Sequence, residues 1–350
     1  MIKKLALFPT TKDTCAIARF SSSFVDYELF ALFSPSFYQL GGTDISRFDG
    51  GSFASLTIED YSSKKLIGCD SLYVDYEESV SDLKIYRDVI NHAKKENIEI
   101  ILSLQLSKKL EKKSFESIEI TNDLSLYDIS APVISILPQG PYTDQLATEL
   151  AVRQYFVENG YKVTQIGSCE ASLFFGFSAT PSFLHNPGDA CDKIIAFNHY
   201  VYELVEKEQP DLLIMSSYDA IMKYNNKIIN GLGILPYIMC SAVRPDAIVV
   251  CLYHTIYQKK LLEELSLYCQ YHLGCPTTLF NIANVSVTAD GVEKNKLSYV
   301  TLESTFVLQG ILHKMDVDDH HLFNALTEES ALQASMKLEK LLSDNVQNLK

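Results

Sequence analysis

The loop over residues 137–148 lies between an apolar run and a helical pattern, which is where a phosphate-binding loop would be expected. A working loop of this type reads Gly-x-x-x-x-Gly-Lys-Ser/Thr, because backbone amides wrap the phosphates, the lysine offsets their charge and the hydroxyl holds Mg²⁺. Counting back from the helix-ending Gly160 puts Gln145 at the lysine position, with Asp144 before it and Leu146 after it. The groups that phosphoryl transfer needs are therefore missing.

The charge of this loop also opposes a phosphate ligand. Asp144 would hold a carboxylate at the helix N-terminus, a position that otherwise favours an anion. No lysine occurs between Pro138 and Gly160, so shifting the alignment by one residue does not restore the cation. We therefore predict that the chain does not hydrolyse ATP or GTP, and we predict no cofactor. Binding of a nucleotide without hydrolysis stays open as an alternative.

Two further loops carry groups that are suited to transfer chemistry. Cys169 and Glu170 follow the strand-like run 162–168, and Ser216 and Asp219 follow the next apolar run. A cysteine at the end of a strand and near a helix N-terminus can have a lowered pKa and act as a nucleophile or acyl acceptor. No histidine can be assigned to Cys169 from the sequence, so an unreactive loop cysteine is the simpler interpretation.

These loops should share one crevice, because ligands in parallel sheets bind outside the carboxyl ends of the strands. We predict that residues 140–144, 167–176 and 216–219 converge in space. We assign no catalytic role within this crevice. The candidate ligand-binding residues are Gly140, Thr143, Asp144, Gln145, Cys169, Glu170, Ser216 and Asp219.

A separate group of side chains contains types that bind metals, namely His185, Asp189, Cys191 and, further along, His199. Their spacing matches no known ligand pattern. Gly188-Asp189 is explained by a turn followed by a helix N-cap. We therefore predict no metal site.

The composition excludes several classes of partner. The 350 residues include 30 basic and 44 acidic side chains, and the net charge of −14 repels phosphate backbones, so no nucleic acid partner is expected. The eight cysteines form no C-x-x-C pair. No signal sequence and no stretch of about 18 apolar residues is present. We expect a soluble, cytoplasmic protein that does not bind a membrane.

The elements that position these loops follow from hydrophobic periodicity. Residues 133–137 form a short apolar run that is typical of a strand buried on both faces. The segment up to Gly160 has helical spacing, with Thr143 as the predicted N-cap and Asp144 in the first turn. The central unit is thus strand, loop, helix and strand.

The same alternation continues along the chain and predicts an α/β fold with two domains. The charged stretch Ser107 to Asp128 is the candidate boundary. We predict a small Rossmann-like domain over residues 1–128 and a doubly wound parallel sheet over residues 129–350, which ends in a C-terminal helix from Glu328.

Several segments within residues 130–285 have a familiar pattern, namely Val133–Val163, Gly188–Ala190, Asp211–Met215, Leu232–Leu235 and Arg244–Cys251. They resemble two-domain proteins of the DUF1611 type. The resemblance implies a Rossmann-like N-terminal domain followed by a P-loop NTPase domain of the class that includes dethiobiotin synthetase. It also implies that the second domain is degenerate, because Gln145 replaces the lysine and Ser216 replaces a glutamate after the third strand.

A closer likeness rests on Gly140-x-x-Thr143-Asp144, Gly160–Val163 and Gln165–Ser168. These motifs resemble the "peptide maturation system protein" family of bacterial gene clusters that make ribosomally synthesised, modified peptides of the bacteriocin kind. The likeness implies an accessory factor, a pseudo-NTPase that binds a precursor peptide or a peptide-modifying enzyme. The alternative is an enzyme that uses the retained crevice for nucleotide- or acyl-dependent transfer.

Overall fold

The computed structural model describes residues 2–80, 82–110, 123–288, 297–314 and 321–348. The chain divides into two compact units. The first is Met1–Ser114 with Cys169–Ala179, and the second is Phe115–Ser168 with Thr180–Lys350. Within the predicted boundary stretch, residues 111–122 lie outside the described residues. No helix within the described ranges is both long and apolar enough to cross a membrane.

The first unit is built on parallel strands with helices between them. Its strands are β1 (Lys3–Phe8), β2 (Tyr27–Ser34), β3 (Ile58–Asp60), β4 (Ser71–Val74) and β5 (Glu99–Leu102), and its helices are α1 (Lys12–Arg19), α2 (Ser46–Asp49), α3 (Leu83–Lys95) and α4 (Leu104–Lys109). The strand order is β3-β2-β1-β4-β5. Every neighbouring pair is parallel. This order is that of a Rossmann-like sheet, as predicted.

The core of the first unit forms because α3 covers one face of this sheet. Tyr86, Ile90 and Ala93 on α3 are buried together with Phe8 and Val74 from the central strands. They recur at helical spacing, so a single apolar stripe meets the sheet. The segment Cys169–Ala179 also belongs to this unit and contains the two-residue strand β8, Ser178–Ala179.

The second unit holds most of the remaining elements. Its strands are β6 (Val133–Pro138), β7 (Val163–Gly167), β9 (Leu212–Ser216), β10 (Ala247–Leu252), β11 (Thr277–Ile282), β12 (Val285–Val287), β13 (Tyr299–Thr301) and β14 (Leu322–Phe323). Its helices are α5 (Gln145–Glu158), α6 (Ala190–Glu208), α7 (Ile234–Ala242), α8 (Lys259–Leu273), α9 (Ser304–Lys314) and α10 (Glu328–Asn348).

The main sheet of the second unit runs in the order β14-β11-β10-β6-β9-β7. Its described neighbouring pairs are parallel. Alternate residues of one strand enter different cores: Ile248 and Val250 pack with α6, α7 and α8, whereas Val249 and Cys251 pack with α5 and α10. Both faces are therefore covered, which explains the continuous apolar runs and confirms the predicted doubly wound sheet.

Candidate functional site

The loop between β6 and α5 (residues 139–144, the β6–α5 loop) reaches the helix through a left-handed residue. Helix α5 begins at Gln145, and its N-cap is Asp144, with a φ of 53°. The prediction of Thr143 as N-cap was wrong. An N-cap residue normally has extended backbone, and its side chain bonds to the first turn of the helix. The hydroxyl of Thr143 instead donates to the carbonyl of Gly140 at 3.0 Å, within the loop.

Asp144 is bonded to a different part of the sheet rather than to its own helix. Its side chain makes no capping hydrogen bond to α5. Oδ2 accepts a 2.6 Å hydrogen bond from the backbone N–H of Asn284, and the carboxylate is buried. The loop therefore carries a fixed negative group beside the helix end that phosphates would otherwise approach.

Gln145 ties together the ends of two neighbouring strands. Its Nε2 donates to the carbonyl of Ile136 at 3.2 Å and to the carbonyl of Ser217 at 2.7 Å. The amide nitrogen thus donates both of its hydrogens to main-chain carbonyls. These bonds bring the β6–α5 loop next to the segment that follows β9.

Gly140 lies very close to the side chain of Tyr253, the residue that follows β10. A Cβ built on Gly140 would lie 2.3 Å from the Oη of Tyr253, so only glycine fits here. The same hydroxyl donates to the carbonyl of Pro141 at 2.9 Å. Burial raises the pKa of Tyr253, so the phenol stays protonated as a donor.

Tyrosine rings gather around this contact. Tyr142 and Tyr299 have ring centroids 4.9 Å apart, Tyr253 and Tyr299 5.9 Å, and Tyr224 and Tyr253 6.4 Å. Buried Val285 packs with them. We call Tyr142, Tyr224, Tyr253 and Tyr299 the tyrosine cluster. It places aromatic and hydroxyl groups against the β6–α5 loop.

The segment after β9 ends in a left-handed turn. Asn230, Gly231, Leu232 and Gly233 have φ values of 43°, 70°, 59° and 76°. A Cβ on Gly231 would lie 2.8 Å from Oδ2 of Asp219, so this predicted site residue lies against the turn. The carbonyl of Asp219 accepts from the Ser217 hydroxyl at 3.3 Å.

Replacing Gly233 by alanine should therefore destabilise the second unit more than the same change at Gly160. Both glycines have positive φ, so each alanine should cost about 1 kcal/mol of backbone strain. At Gly233 the new Cβ would also meet the carbonyl oxygen of Ile221 at 2.2 Å, whereas at Gly160 nothing lies within 4 Å. We expect about 1 kcal/mol of further loss at Gly233. Equal unfolding free energies in urea for the two variants would contradict this account.

A buried carboxylate that the sequence analysis did not single out lies beneath this site. Glu149 on α5 is fully buried, and its Oε2 accepts from Nε2 of Gln165 at 3.4 Å and from the N–H of Ser168 at 3.3 Å. Among the described residues, Glu149 Oε1, Gln165 Oε1 and Ser216 Oγ have no hydrogen-bond partner. Burial raises the pKa of Glu149 to about 7, and the nearby polar groups of Ser168, Ser216 and Gln165 oppose this rise only in part.

Glu149 carried a sequence signal that went unused. It lies within the run Leu146–Val152, in which every other residue except Thr148 is apolar. A carboxylate at such a position is either paired or shifted in pKa. Ser216, one of the predicted site residues, is the last residue of β9 and is fully buried, and its side chain acts on the pKa of Glu149.

Cys169 and Glu170 belong to the segment of the first unit. The carbonyl of Cys169 accepts from the hydroxyl of Ser172 at 2.6 Å. The Glu170 carboxylate accepts from the backbone N–H of Leu104 at 2.9 Å, and burial raises its pKa. Both residues thus have partners within the first unit. Ligand binding by the eight predicted site residues stays a prediction.

Three of the four side chains considered for a metal have other partners. Nδ1 of His185 is 2.7 Å from the hydroxyl of Tyr218, and Nε2 of His199 is 2.8 Å from the carbonyl of Ser125. Asp189 caps α6 by accepting from the N–H of Cys191, which is the N-cap role that the sequence predicted. Within the described ranges, no group of three or more His, Cys, Asp or Glu side chains could hold a metal ion.

Comparison with known proteins identifies the fold but no family by sequence. No protein-family model and no curated protein matches this chain. A DUF1611 family protein from Anabaena variabilis is similar over 97% of this chain and 99% of its own, at 9% identity and a TM-score of 0.59.

Two other solved structures match over smaller shares of this chain. A pseudomurein peptide ligase type C from Methanothermus fervidus has 10% identity over 71% of this chain and 37% of its own, with a TM-score of 0.27. A GTPase from Pyrococcus abyssi has 11% identity over 53% and 75%, with a TM-score of 0.26. The DUF1611 likeness confirms the predicted α/β fold, in which a Rossmann-like parallel sheet is followed by a doubly wound parallel sheet.

Proposed function

We propose that this chain is a non-hydrolysing, P-loop-like binding protein that serves as an accessory factor in the maturation of a ribosomally synthesised, modified peptide. The observation that supports this most is the bonding of the β6–α5 loop. Gln145 donates to two main-chain carbonyls, and Asp144 is bonded to Asn284. A loop built in this way holds strands together and supplies no cation to a phosphate.

The groups around the loop favour an organic ligand with apolar and polar parts over a polyphosphate. The tyrosine cluster packs beside the loop, and tyrosine is enriched where proteins bind peptides and other proteins. The resemblance to the peptide maturation family supplies the class of ligand, a precursor peptide or the enzyme that modifies it.

The test is binding of the full chain to the precursor peptides and modifying enzymes encoded beside its gene, measured by calorimetry with purified components. We expect binding of at least one of them, and weaker binding after Tyr299→Ala in the tyrosine cluster. The exposed Tyr271→Ala, on α8, is the matched control and should bind as the unmodified protein does. Tight binding of a Mg²⁺ nucleotide with no binding to any peptide or enzyme would refute the proposal.

One observation favours the alternative of an enzyme. Glu149 has a pKa raised to about 7 by burial, and a general base is most effective when its pKa is near the working pH. It lies next to Ser216, at the carboxyl end of β9. If the chain catalyses nucleotide- or acyl-dependent transfer, Glu149→Gln should abolish turnover without unfolding the protein. A Glu149→Gln variant with full transferase activity would remove this candidate.

Nucleic acid should not bind. With a net charge of −14, the chain repels a phosphate backbone. At about 150 mM salt, screening also removes long-range attraction between the backbone and any local group of basic side chains. We expect no mobility shift with double-stranded DNA or with RNA at micromolar protein. A shift that persists at this salt concentration would contradict the prediction.

A further inference from the structure

Four exposed apolar side chains lie together before and on the first turn of α7 in the second unit. Ile229, Leu232, Ile234 and Tyr237 are 53%, 51%, 53% and 48% exposed. The N–H of Leu232 donates to the carbonyl of Ile229 at 2.7 Å. Ile234 and Tyr237 are three residues apart on the helix and so share one face. We call these four residues the turn patch.

Leu232 has a backbone conformation that leucine disfavours, although its side chain is exposed. Its φ of 59° is left-handed, a conformation that disfavours a residue with a Cβ. Its side chain gains little burial in return. Gly233 fixes the turn, because it packs against the carbonyl of Ile221 at a distance that admits no Cβ. Strain of this kind persists only where the surroundings impose it, and it concentrates at binding sites.

The charge around the turn patch is opposite to that of the whole chain. No Asp or Glu occurs between Asp219 and Asp246, whereas Lys223 and Lys227 do. Both lysines are exposed. The N–H of Tyr224 donates to the carbonyl of Ile228 at 3.0 Å and closes a short loop, which Lys223 directly precedes and which contains Lys227. Counted with Asp219, whose carboxylate lies against Gly231, the two lysines leave this stretch with one net positive charge in a chain with a net charge of −14.

We propose that the turn patch, together with Lys223 and Lys227, is the docking surface for an acidic, amphipathic peptide segment. Its apolar side chains would cover the patch, as in other helix or strand recognition modes, and its carboxylates would reach the two lysines. The inference rests on the proposed binding function and adds the surface and the chemistry of the peptide. A basic segment would be steered to the rest of the protein but would meet like charge here.

The probe is a fluorescently labelled peptide of about 20 residues with leucine and glutamate at helical spacing, long enough to form several turns. Its matched control is the same peptide with lysine in place of every glutamate. Fluorescence anisotropy with the full chain should show at least about tenfold tighter binding of the acidic peptide, weakening as salt is raised. Equal or tighter binding of the basic peptide would overturn the proposal, and so would the absence of binding by both.

Variants then locate the contact. Leu232→Gly with Ile234→Ser removes two apolar groups and suits the left-handed backbone, and it should weaken binding of the acidic peptide at least about tenfold. Lys223→Gln with Lys227→Gln should weaken binding and flatten its salt dependence. The control is Leu332→Ser, which is 48% exposed on α10, a helix that packs in the core on the other face of the sheet. Unchanged binding in the patch variants would overturn the proposal.

The two proposals fail in different ways. If a natural precursor peptide binds the patch variants as tightly as the unmodified chain, the docking surface is wrong while the proposed function stands. If the acidic probe binds through the patch but no precursor peptide or modifying enzyme binds at all, the surface stands and the proposed function fails.

Discussion

Purified protein incubated with Mg²⁺ and ATP or GTP should release no phosphate above background. The transferred phosphoryl group carries dispersed negative charge, and lysine and Mg²⁺ supply most of its stabilisation in P-loop enzymes. Losing one such donor typically costs about a hundred- to a thousandfold in rate. Here the lysine position holds Gln145, whose amide is bonded to two carbonyls, and the hydroxyl position holds Leu146.

Restoring the lysine alone should not create an enzyme. In Gln145→Lys the carboxylate of Asp144 would remain bonded next to the new cation, and Tyr253 would still lie against Gly140. We therefore expect phosphate release at background in this variant also. The assay is run with and without the candidate partner. Turnover that survives repurification and disappears in Asp144→Ala or Asp219→Ala would show that the fold uses other catalytic groups.

Replacing Glu149 by glutamine should stabilise the protein at pH 8 by about 3 kcal/mol relative to the unmodified chain, because one pKa unit is worth about 1.36 kcal/mol. Burial raises the pKa of this carboxyl from 4.5 to about 7. Between these two values the folded state binds a proton that the unfolded state has lost. The stability of the unmodified protein therefore falls as pH rises through this window and stays lower above it.

Glutamine keeps the shape of the side chain and carries no charge at any pH. The stabilisation should accordingly be largest near pH 8 and should shrink as pH falls towards 5, where the folded carboxyl is already protonated. Urea unfolding at both pH values measures the difference. Glu158→Gln, an exposed position on the same helix, is the control and should change stability little at either pH. A Glu149→Gln variant that is less stable at pH 8 than at pH 5, relative to the unmodified chain, would contradict the expected sign.

The patterns that determined the fold are local. Continuous apolar runs such as residues 133–137 and 247–252 predict strands buried on both faces, and the helical spacing up to Gly160 predicts the helix between two of them. Strand and helix alternation then implies a parallel sheet with right-handed crossovers. These features depend on the burial of residues that are close together in the sequence. The sequence by itself therefore determines the α/β class. The absence of a phosphate-loop lysine also follows from the sequence alone, because it requires only counting residues back from Gly160.

What the loops do was decided by contacts between residues far apart in the chain. Asp144 meets Asn284, Gly140 meets Tyr253, and Glu149 meets Gln165 and Ser168 only once the sheet has formed. Thr143 has the residue type of an N-cap, but the backbone enters α5 through a left-handed residue, so its hydroxyl bonds within the loop instead. A hydrogen bond satisfies whichever buried group the fold brings within reach, and no sequence spacing encodes that partner. The tertiary structure alone therefore decided which residues of the chain the β6–α5 loop contacts.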